Sequence, residues 1–351
     1  MDRAVDRDRA VDRGRAVNEG GVVVVAVGGN ALLQRGQPVE IEVQRANVAA
    51  AAASLAALVG PRGCRLVVTH GNGPQVGVLA ATVAAAGAAP VPLDVLDAET
   101  QGQIGYQLEL ELRNALGGGR ELAVLLTQVE VDPADPAFAR PTKPIGPWLD
   151  EAGADAARRR GWALTPSLTP TPKPGTVAPD AGSCAPTPQS ASGGGGGEHR
   201  WRRVVPSPRP VATLERAVVA ELVAAGVVVV CGGGGGIPVA RDGAGRWYGV
   251  EAVVDKDRAA ALLAIEIGAS ALVIVTDVDG VHRRWGRPDA ALIREATVAE
   301  LRAMTFDAGS MGPKVDAACT FVERTGCPAS IGSLTAAPQL LAGTAGTRIL
   351  P

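Results

Sequence analysis

Uninterrupted runs of apolar residues recur along the chain and alternate with alanine-rich segments of helical length. Strands that are apolar throughout are typical of a sheet that is covered on both faces. The runs predict strands at residues 22–27, 65–69, 122–127, 227–231, 271–276 and 329–331. The segments between them predict helices near residues 41–59, 75–86, 98–116, 213–225, 257–267 and 311–325. This alternation indicates an α/β fold with a largely parallel sheet.

Two local signals add detail to this pattern. Thr297 and Glu300 have the spacing of a capping box and predict the start of a further short helix. Residues 241–246 read R-D-G-A-G-R, which predicts the turn of a β-hairpin. We therefore expect some antiparallel pairing beside the parallel sheet.

Two segments break the alternation. Residues 1–20 are charged and repetitive and predict a disordered tail, not a signal peptide. Residues 166–197 are rich in Pro, Thr, Ser and Gly and predict a flexible insertion within one domain at residues 21–351. A linker between two independent domains is the alternative interpretation of the same residues.

Composition and charge exclude several functions. The formal net charge of −2 gives no global attraction to nucleic acid or to an anionic membrane, and no stretch predicts a convincing membrane span. Five cysteines without C-x-x-C spacing favour a reducing, cytoplasmic compartment. Three histidines without a Cys/His cluster disfavour a dedicated metal site.

Lysine is rare in this chain, with four lysines among 34 basic residues. Lys143, Lys256 and Lys314 lie in segments bounded by Pro, Gly or Asp, and Lys173 falls in the predicted insertion, where we expect it to be dispensable. Chance is one explanation of the bias. The other is that these positions need a compact ammonium group, which suits a phosphoryl group in transfer. The three lysine segments are therefore candidates for catalysis.

Each lysine segment also has a structural interpretation. Lys143 lies between prolines, in a semi-rigid arm or in a solvated turn. Asp255 and Asp257 flank Lys256, where they orient its ammonium group or cap the following helix. Lys314 stands near a predicted helix start, where the helix dipole disfavours a cation unless an anion lies nearby.

Four glycine-containing turns follow predicted strands, at the ends where open α/β sheets bind ligands. They are residues 28–30, 70–75, 232–236 and 276–280. Glycine lets backbone N–H groups approach a phosphate, although tight turns also need glycine for geometry alone. The spacing matches neither a Rossmann fingerprint nor a Walker P-loop.

Polar residues in these turns have two interpretations each. We expect a structural role for His70, and a catalytic base is the less favoured alternative. Asn30 and Asn72 either favour left-handed turns or donate side-chain N–H groups to a transferring group. Phosphoryl transfer needs positioning and positive charge, with no Ser, Cys or His nucleophile. The turns and lysines together supply those requirements.

Nine longer segments resemble one known family. They read V-A-V-G-G-N-A-L (25–32), H-G-N-G-P-Q-V-G (70–77), T-Q-G-Q-I-G-Y (100–106), L-T-Q-V-E-V-D-P-A-D-P-A-F (126–138), P-T-K-P-I-G-P (141–147), R-R-V-V-P-S-P-R-P (202–210), C-G-G-G-G-G-I-P-V (231–239), G-V-E-A-V-V-D-K-D (249–257) and G-S-M-G-P-K (309–314). On these motifs the chain resembles the carbamate kinases of the amino acid kinase superfamily. The P-T-K-P-I-G-P and V-V-P-S-P-R-P segments look specific to that branch.

The resemblance implies a three-layer αβα sandwich with a mainly parallel eight-stranded central sheet and a protruding lid at about residues 133–208. It implies reversible phosphoryl transfer between ATP and carbamate, giving ADP and carbamoyl phosphate, with Mg²⁺ carried by the nucleotide phosphates and no protein metal site. It also implies a homodimer that makes ATP from carbamoyl phosphate in arginine catabolism. The insertion falls in the lid, where the family is shorter, which puts lid closure in question.

Residue roles follow from the resemblance position by position. The implied catalytic residues are Lys143, Lys256, Asp257 and Lys314. The implied phosphate and substrate contacts are Gly28, Gly29, Asn30, Gly71, Asn72, Gly73, Gly232, Gly233 and Asp255. The implied nucleotide border is Thr276, Asp277, Asp279, Gly280 and Met311.

Two other functions stay open at this point. Another amino acid kinase would phosphorylate the carboxylate of an amino acid, which the P-T-K-P-I-G-P arm disfavours. A non-catalytic nucleotide-binding regulator would be expected to lack one of the lysines or the D-K-D motif, and all of them are present.

Overall fold

The computed structural model describes residues 20–32, 40–59, 63–86, 89, 91–166, 200–307 and 309–351. The predicted tail, the predicted insertion and Lys173 lie almost wholly outside these residues. The strands are β1 (Val22–Val27), β2 (Arg65–His70), β3 (Leu122–Val124), β4 (Gln128–Val131), β5 (Lys143–Leu149), β6 (Leu164–Pro166), β7 (Trp201–Val205), β8 (Pro210–Thr213), β9 (Val228–Val230), β10 (Ile237–Arg241), β11 (Trp247–Gly249), β12 (Ala271–Thr276), β13 (His282–Arg283), β14 (Ala291–Leu292), β15 (Glu295–Thr297), β16 (Ala329–Ser333) and β17 (Thr347–Leu350). The α-helices are α1 (Gly29–Leu32), α2 (Ile41–Ala56), α3 (Gly73–Ala85), α4 (Leu93–Leu116), α5 (Glu151–Arg159), α6 (Arg216–Ala224), α7 (Lys256–Glu266), α8 (Val298–Arg302), α9 (Met311–Thr325) and α10 (Ala337–Leu341).

Eight strands form the main sheet, in the order β15-β17-β16-β12-β1-β2-β9-β3. The six strands from β16 to β3 run parallel to one another. At the other end, β17 is antiparallel to β16 and pairs in parallel with β15. The largely parallel sheet that the apolar runs predict is therefore confirmed.

The central strand β1 shows why the sheet is covered on both faces. Val24 and Ala26 join a buried cluster with residues of α6, α7, α8 and α9. Val23, Val25 and Val27 join a second cluster with residues of α2, α4 and α10. Because successive side chains of a strand point to opposite faces, an apolar run without alternation fills both helical layers. The three-layer αβα sandwich implied by the resemblance is confirmed.

One predicted strand, at residues 122–127, is shorter in the structure. β3 ends at Val124, and β4 begins at Gln128 in a second sheet of order β11-β10-β4-β8. The side-chain amide of Gln101 accepts from the backbone N of Thr127 (2.9 Å) and donates to its carbonyl oxygen (3.2 Å). Gln101 thus occupies the backbone N–H of Thr127, while the Thr127 carbonyl oxygen also accepts from the backbone N of Ile237 in β10 (2.8 Å), so the chain leaves the main sheet here.

Other predicted elements agree with the structure apart from their ends. The helix predicted at 213–225 begins only at Arg216, because Thr213 ends β8. The hairpin predicted at 241–246 joins β10 to β11, and the capping box at Thr297 opens α8. No helix in the described ranges has both the length and the apolar character needed to cross a membrane.

A separate antiparallel sheet of order β5-β7-β6, with α5 beside it, forms the part that we call the lid. Ile145 of the lid packs against Val76 of α3 in a small buried cluster. At the same place a Cβ added to Gly77 would overlap the backbone of Gly146. The lid therefore meets the main domain at a close backbone approach that only glycine permits. The wider limits of 133–208 stay a prediction.

Candidate functional site

The strands β12, β1, β2 and β9 lie side by side and run in parallel, so their carboxyl ends meet at one edge of the main sheet. The four predicted glycine turns follow these four strands. An open cavity of about 270 Å³ lies at this edge, beneath the lid. The predicted residues that line it are Gly28, Gly29, Gly71, Asn72, Gly73, Lys143, Asp255, Lys256, Asp257, Thr276, Asp277 and Lys314.

Glycine is required where the first two turns meet. A Cβ on Gly71 would stand 2.8 Å from the backbone N of Gly29 and 3.1 Å from Cδ of Lys256. A side chain at this position would therefore push the turn away from the lysine stem. The absence of one lets two backbone segments and Lys256 share the cavity floor.

Lys256 and Lys314 converge on one carboxylate, which we call the Asp257 cluster. Lys256 Nζ lies 2.5 Å from Asp257 Oδ1, and Lys314 Nζ lies 3.0 Å from Asp257 Oδ2. Burial alone would raise the pKa of Asp257, but the two ammonium groups more than offset it and hold that pKa below its usual value. Asp257 therefore stays charged and fixes both lysines at the cavity wall.

Lys143 reaches the cavity from the first residue of β5, and with Asp255 it forms what we call the lid pair. Lys143 Nζ lies 2.8 Å from Asp255 Oδ2. The other oxygen of Asp255 accepts from the backbone N of Asp257 (3.0 Å) and of Arg258 (3.3 Å), which caps α7. Burial opposes the charge on Asp255, but Lys143 and Lys256 hold its pKa well below the usual value. The capping and orienting interpretations of Asp255 both hold.

His70 is buried behind the cavity. Burial lowers the pKa of His70 to about 4, so the ring is neutral at physiological pH. A Cβ on Gly233 would overlap this ring. The interpretation of His70 as a structural histidine therefore fits its position.

Several predicted residues lie outside the cavity lining. Gly232 and Gly233 lie behind the wall, beside Thr69 and His70, and their neighbour Gly234 lines the cavity instead. Asp279 lies against His282 instead, with 2.7 Å between Asp279 Oδ1 and His282 Nε2. Two more lie elsewhere: Gly280 against Leu292 and Thr347, and Met311 against the core. The backbone of Asn30 lies within α1.

A group of polar residues that was not assigned a role lies on α4 beside Asn72. Asp97, Thr100 and Gln101 are all buried, and Asn72 donates to Asp97 and to Thr100. Their spacing of three and four residues places them on one helix face. Polar residues on the largely apolar inward face of this helix were the available signal, because buried polar groups need partners.

The arrangement suits the binding of an anion and the transfer of a phosphoryl group. Three ammonium groups from β5, α7 and α9 line one cavity, and two carboxylates fix their positions. Preorganised positive charge of this kind stabilises the negative charge that spreads over transferring oxygens.

Comparison with known proteins points the same way. The sequence model of the amino acid kinase family matches residues 21–333. The carbamate kinase of Rhizobium meliloti is 42% identical over 332 residues, which cover 93% of this chain and 92% of that protein. The carbamate kinase of Thermococcus kodakarensis is 42% identical over 340 residues, which cover 93% of this chain and 98% of that protein. The solved structure of the carbamate kinase from Giardia lamblia bound to AMP-PNP is similar with a TM-score of 0.78 at 37% identity, over 94% of this chain and 98% of that one.

Proposed function

We propose that this chain, which belongs to the amino acid kinase family and within it to the carbamate kinases, transfers a phosphoryl group reversibly between ATP and carbamate. The products are ADP and carbamoyl phosphate. The observation that carries the proposal is the convergence of Lys143, Lys256 and Lys314 on one cavity. The three come from elements that are distant in sequence, which disfavours chance as the reason for the sparse lysines.

In the forward step a carbamate oxygen attacks the γ-phosphorus of ATP. A P–O bond to carbamate forms, the P–O bond to ADP breaks, and ADP leaves with the electron pair. Negative charge spreads over the transferred oxygens. We assign its stabilisation to Lys256 and Lys314 of the Asp257 cluster, with Lys143 as a third positive charge from the lid. No side-chain nucleophile takes part.

The strand order supports an assignment of the two substrates. β1 lies between β2 and β12, so Gly28 and Gly29 separate the turn after β2 from the turn after β12. We place carbamate beside the backbone of residues 71–73 and the nucleotide beside Thr276 and Asp277, with the phosphoryl group passing between them. The roles implied for Asn30, Gly232, Gly233, Asp279, Gly280 and Met311 stay predictions.

Mg²⁺ fits this site as part of the nucleotide. Asp255 and Asp257 are each already paired with a lysine, so binding a metal would require them to release it. We therefore place Mg²⁺ on the ATP or ADP phosphates, where it neutralises phosphate charge when bound. The homodimer, the cytoplasmic location and the role in arginine catabolism stay predictions.

The test is ATP formation by the purified full-length chain from ADP, Mg²⁺ and carbamoyl phosphate. ATP should form in proportion to the carbamoyl phosphate consumed, measured with a coupled assay. Failure to form ATP while nucleotide binding is intact would favour the regulatory alternative. Faster phosphorylation of a free or N-acetylated amino acid than of carbamate would favour another amino acid kinase.

A further inference from the structure

The side chain of Asn72 has used both of its donors before any substrate arrives. Its Nδ2 atom lies 2.9 Å from Asp97 Oδ1 and 2.9 Å from Thr100 Oγ1. An amide nitrogen carries two hydrogens, and these two contacts occupy both. Among the described residues, no donor reaches the carbonyl oxygen Oδ1. Asn72 lines the cavity, so what it can offer there is a hydrogen-bond acceptor.

Thr100 fixes the direction of this amide. Its hydroxyl donates to the carbonyl oxygen of Leu96 (2.9 Å), one turn earlier in α4. The hydroxyl oxygen is therefore left to accept from Asn72. A flipped amide would bring the oxygen of Asn72 against the oxygen of Thr100, unless the hydroxyl gave up its bond to the helix backbone in order to donate.

Asp97 fixes the same direction in either protonation state. Its Oδ1 accepts from Asn72, whereas its Oδ2 is buried without a hydrogen-bond partner among the described residues. Burial raises the pKa of Asp97 to about 8, against the opposing effect of Asn72. A bound proton belongs on Oδ2, so Oδ1 accepts whether Asp97 is neutral or charged.

Gly234 leaves the room that this amide occupies. A Cβ at Gly234 would stand 2.7 Å from Asn72 Oδ1 and would overlap the rest of the amide. Asn72 is thus enclosed between Gly234 and α4, and it is 2% exposed. Its orientation is set by packing as well as by the two acceptors.

We propose that Asp97 and Thr100 are positioning residues that hold Asn72 Oδ1 as an acceptor for the amino group of carbamate or carbamoyl phosphate. The inference rests on the function proposed above and names its specificity determinant. The amino group carries N–H donors, whereas acetate and acetyl phosphate carry a methyl group at the same place. A buried acceptor that is left unpaired by the wrong substrate discriminates strongly against it.

The test compares carbamoyl phosphate with acetyl phosphate as phosphoryl donors to ADP, through the ratio of their kcat/KM values. Asp97→Asn supplies an N–H group that permits Asn72 to flip, and Asn72→Leu removes the acceptor. Each variant should lower the ratio by about tenfold or more, since about one net hydrogen bond is lost. The fall should come from carbamoyl phosphate, with acetyl phosphate changed by less than about twofold on the same reasoning.

Three further variants separate positioning from general damage. Thr100→Ser keeps the hydroxyl and should retain the ratio, whereas Thr100→Val should lower it. Glu99→Gln removes one charge from an exposed position of α4 and should leave the ratio unchanged. Unfolding midpoints identify any variant that fails to fold.

Each outcome has a distinct meaning. Equal losses for both phosphates in Asp97→Asn and in Thr100→Val would overturn the positioning role. A wild-type protein that uses both phosphates equally well would overturn the acceptor role of Asn72 and leave the kinase intact. A wild-type protein that forms ATP from neither would refute the proposed function itself.

Discussion

The Asp257 cluster and the lid pair bring lysines to the same cavity under different constraints. The side chain of Asp257 is 4% exposed, and both of its lysines belong to helices of the main domain. Lys143 is 30% exposed and crosses from the lid to reach Asp255. Removing one partner of a buried ion pair is far more damaging than removing one from an exposed pair. The Asp257 cluster is therefore part of the fold, whereas Lys143 depends on where the lid sits.

The largest effect is expected from Asp257→Asn. The change leaves two largely buried lysine side chains, 13% and 14% exposed, without their carboxylate, which destabilises the protein by about 3–5 kcal/mol. Loss of preorganised charge should also lower kcat by about 10²–10³-fold. Urea unfolding and the coupled ATP assay measure the two effects.

Asp316→Asn is the matched control for that variant. Asp316 also pairs with two cations, Arg258 and Arg302, but its side chain is 29% exposed. The Asp316→Asn variant should lose less than about 1 kcal/mol of unfolding free energy and keep normal turnover. Equal loss of stability in the two variants would show that burial does not distinguish the Asp257 cluster from an ordinary ion pair.

Lys143→Arg should affect catalysis without affecting the fold. The planar guanidinium cannot replace a point charge at the end of a flexible stem, so kcat should fall by about 10²-fold. The unfolding midpoint should stay unchanged because arginine keeps a positive charge beside Asp255. Arg158→Lys, another cation of the lid, is the control and should keep full turnover. Unchanged turnover in Lys143→Arg would remove Lys143 from the mechanism.

Gly77→Ala tests whether the lid position matters for Lys143. The added methyl overlaps the backbone of Gly146, so the lid must shift away from α3. Turnover should fall by about tenfold because a displacement of about 1 Å at a reacting group is sufficient for such losses. Gly102→Ala is the control, since its Cβ meets nothing within 4 Å. If both variants keep wild-type turnover, the backbone contact does not position Lys143.

The parts of the molecule that were predictable from sequence are those with a local cause. The run Val22–Val27 is apolar on both faces, and that alone indicates a central strand. Each glycine turn comes directly after a strand, and the carboxyl ends of parallel strands meet at one edge of the sheet. The meeting of the four turns was therefore predictable. Lys256 and Asp257 are adjacent in the chain, which made their contact foreseeable.

The contacts that could not be predicted join residues that are distant in sequence. Lys143 and Asp255 are 112 residues apart, and Asn72 lies 25 residues from Asp97. Local patterns suggested a turn residue or a donor for Asn72 and did not indicate an acceptor, because that depends on which hydrogen-bond acceptors α4 places beside it. The early end of β3 has the same origin, since Gln101 of α4 forms hydrogen bonds with the backbone of Thr127.

The smallest effect concerns pH and belongs to the main domain alone. Between pH 5 and 6 the unfolded chain protonates His70, whereas the folded chain, with a pKa of about 4, does not, so this group makes stability rise with pH. Asp97, with a folded pKa of about 8, keeps its proton only when folded and makes stability fall with pH. Each slope approaches about 1.4 kcal/mol per pH unit, so the two should nearly cancel in the wild type. Asp255 and Asp257 add no slope here, because a carboxyl with a lowered pKa loses its stabilising effect only below its unfolded pKa near 3.8.

Urea unfolding at pH 5 and 6 should therefore show stability rising with pH in Asp97→Asn and falling in His70→Gln. Because each variant is compared with itself, any uniform loss of stability drops out, and a flat profile in both would show that neither group is perturbed by burial.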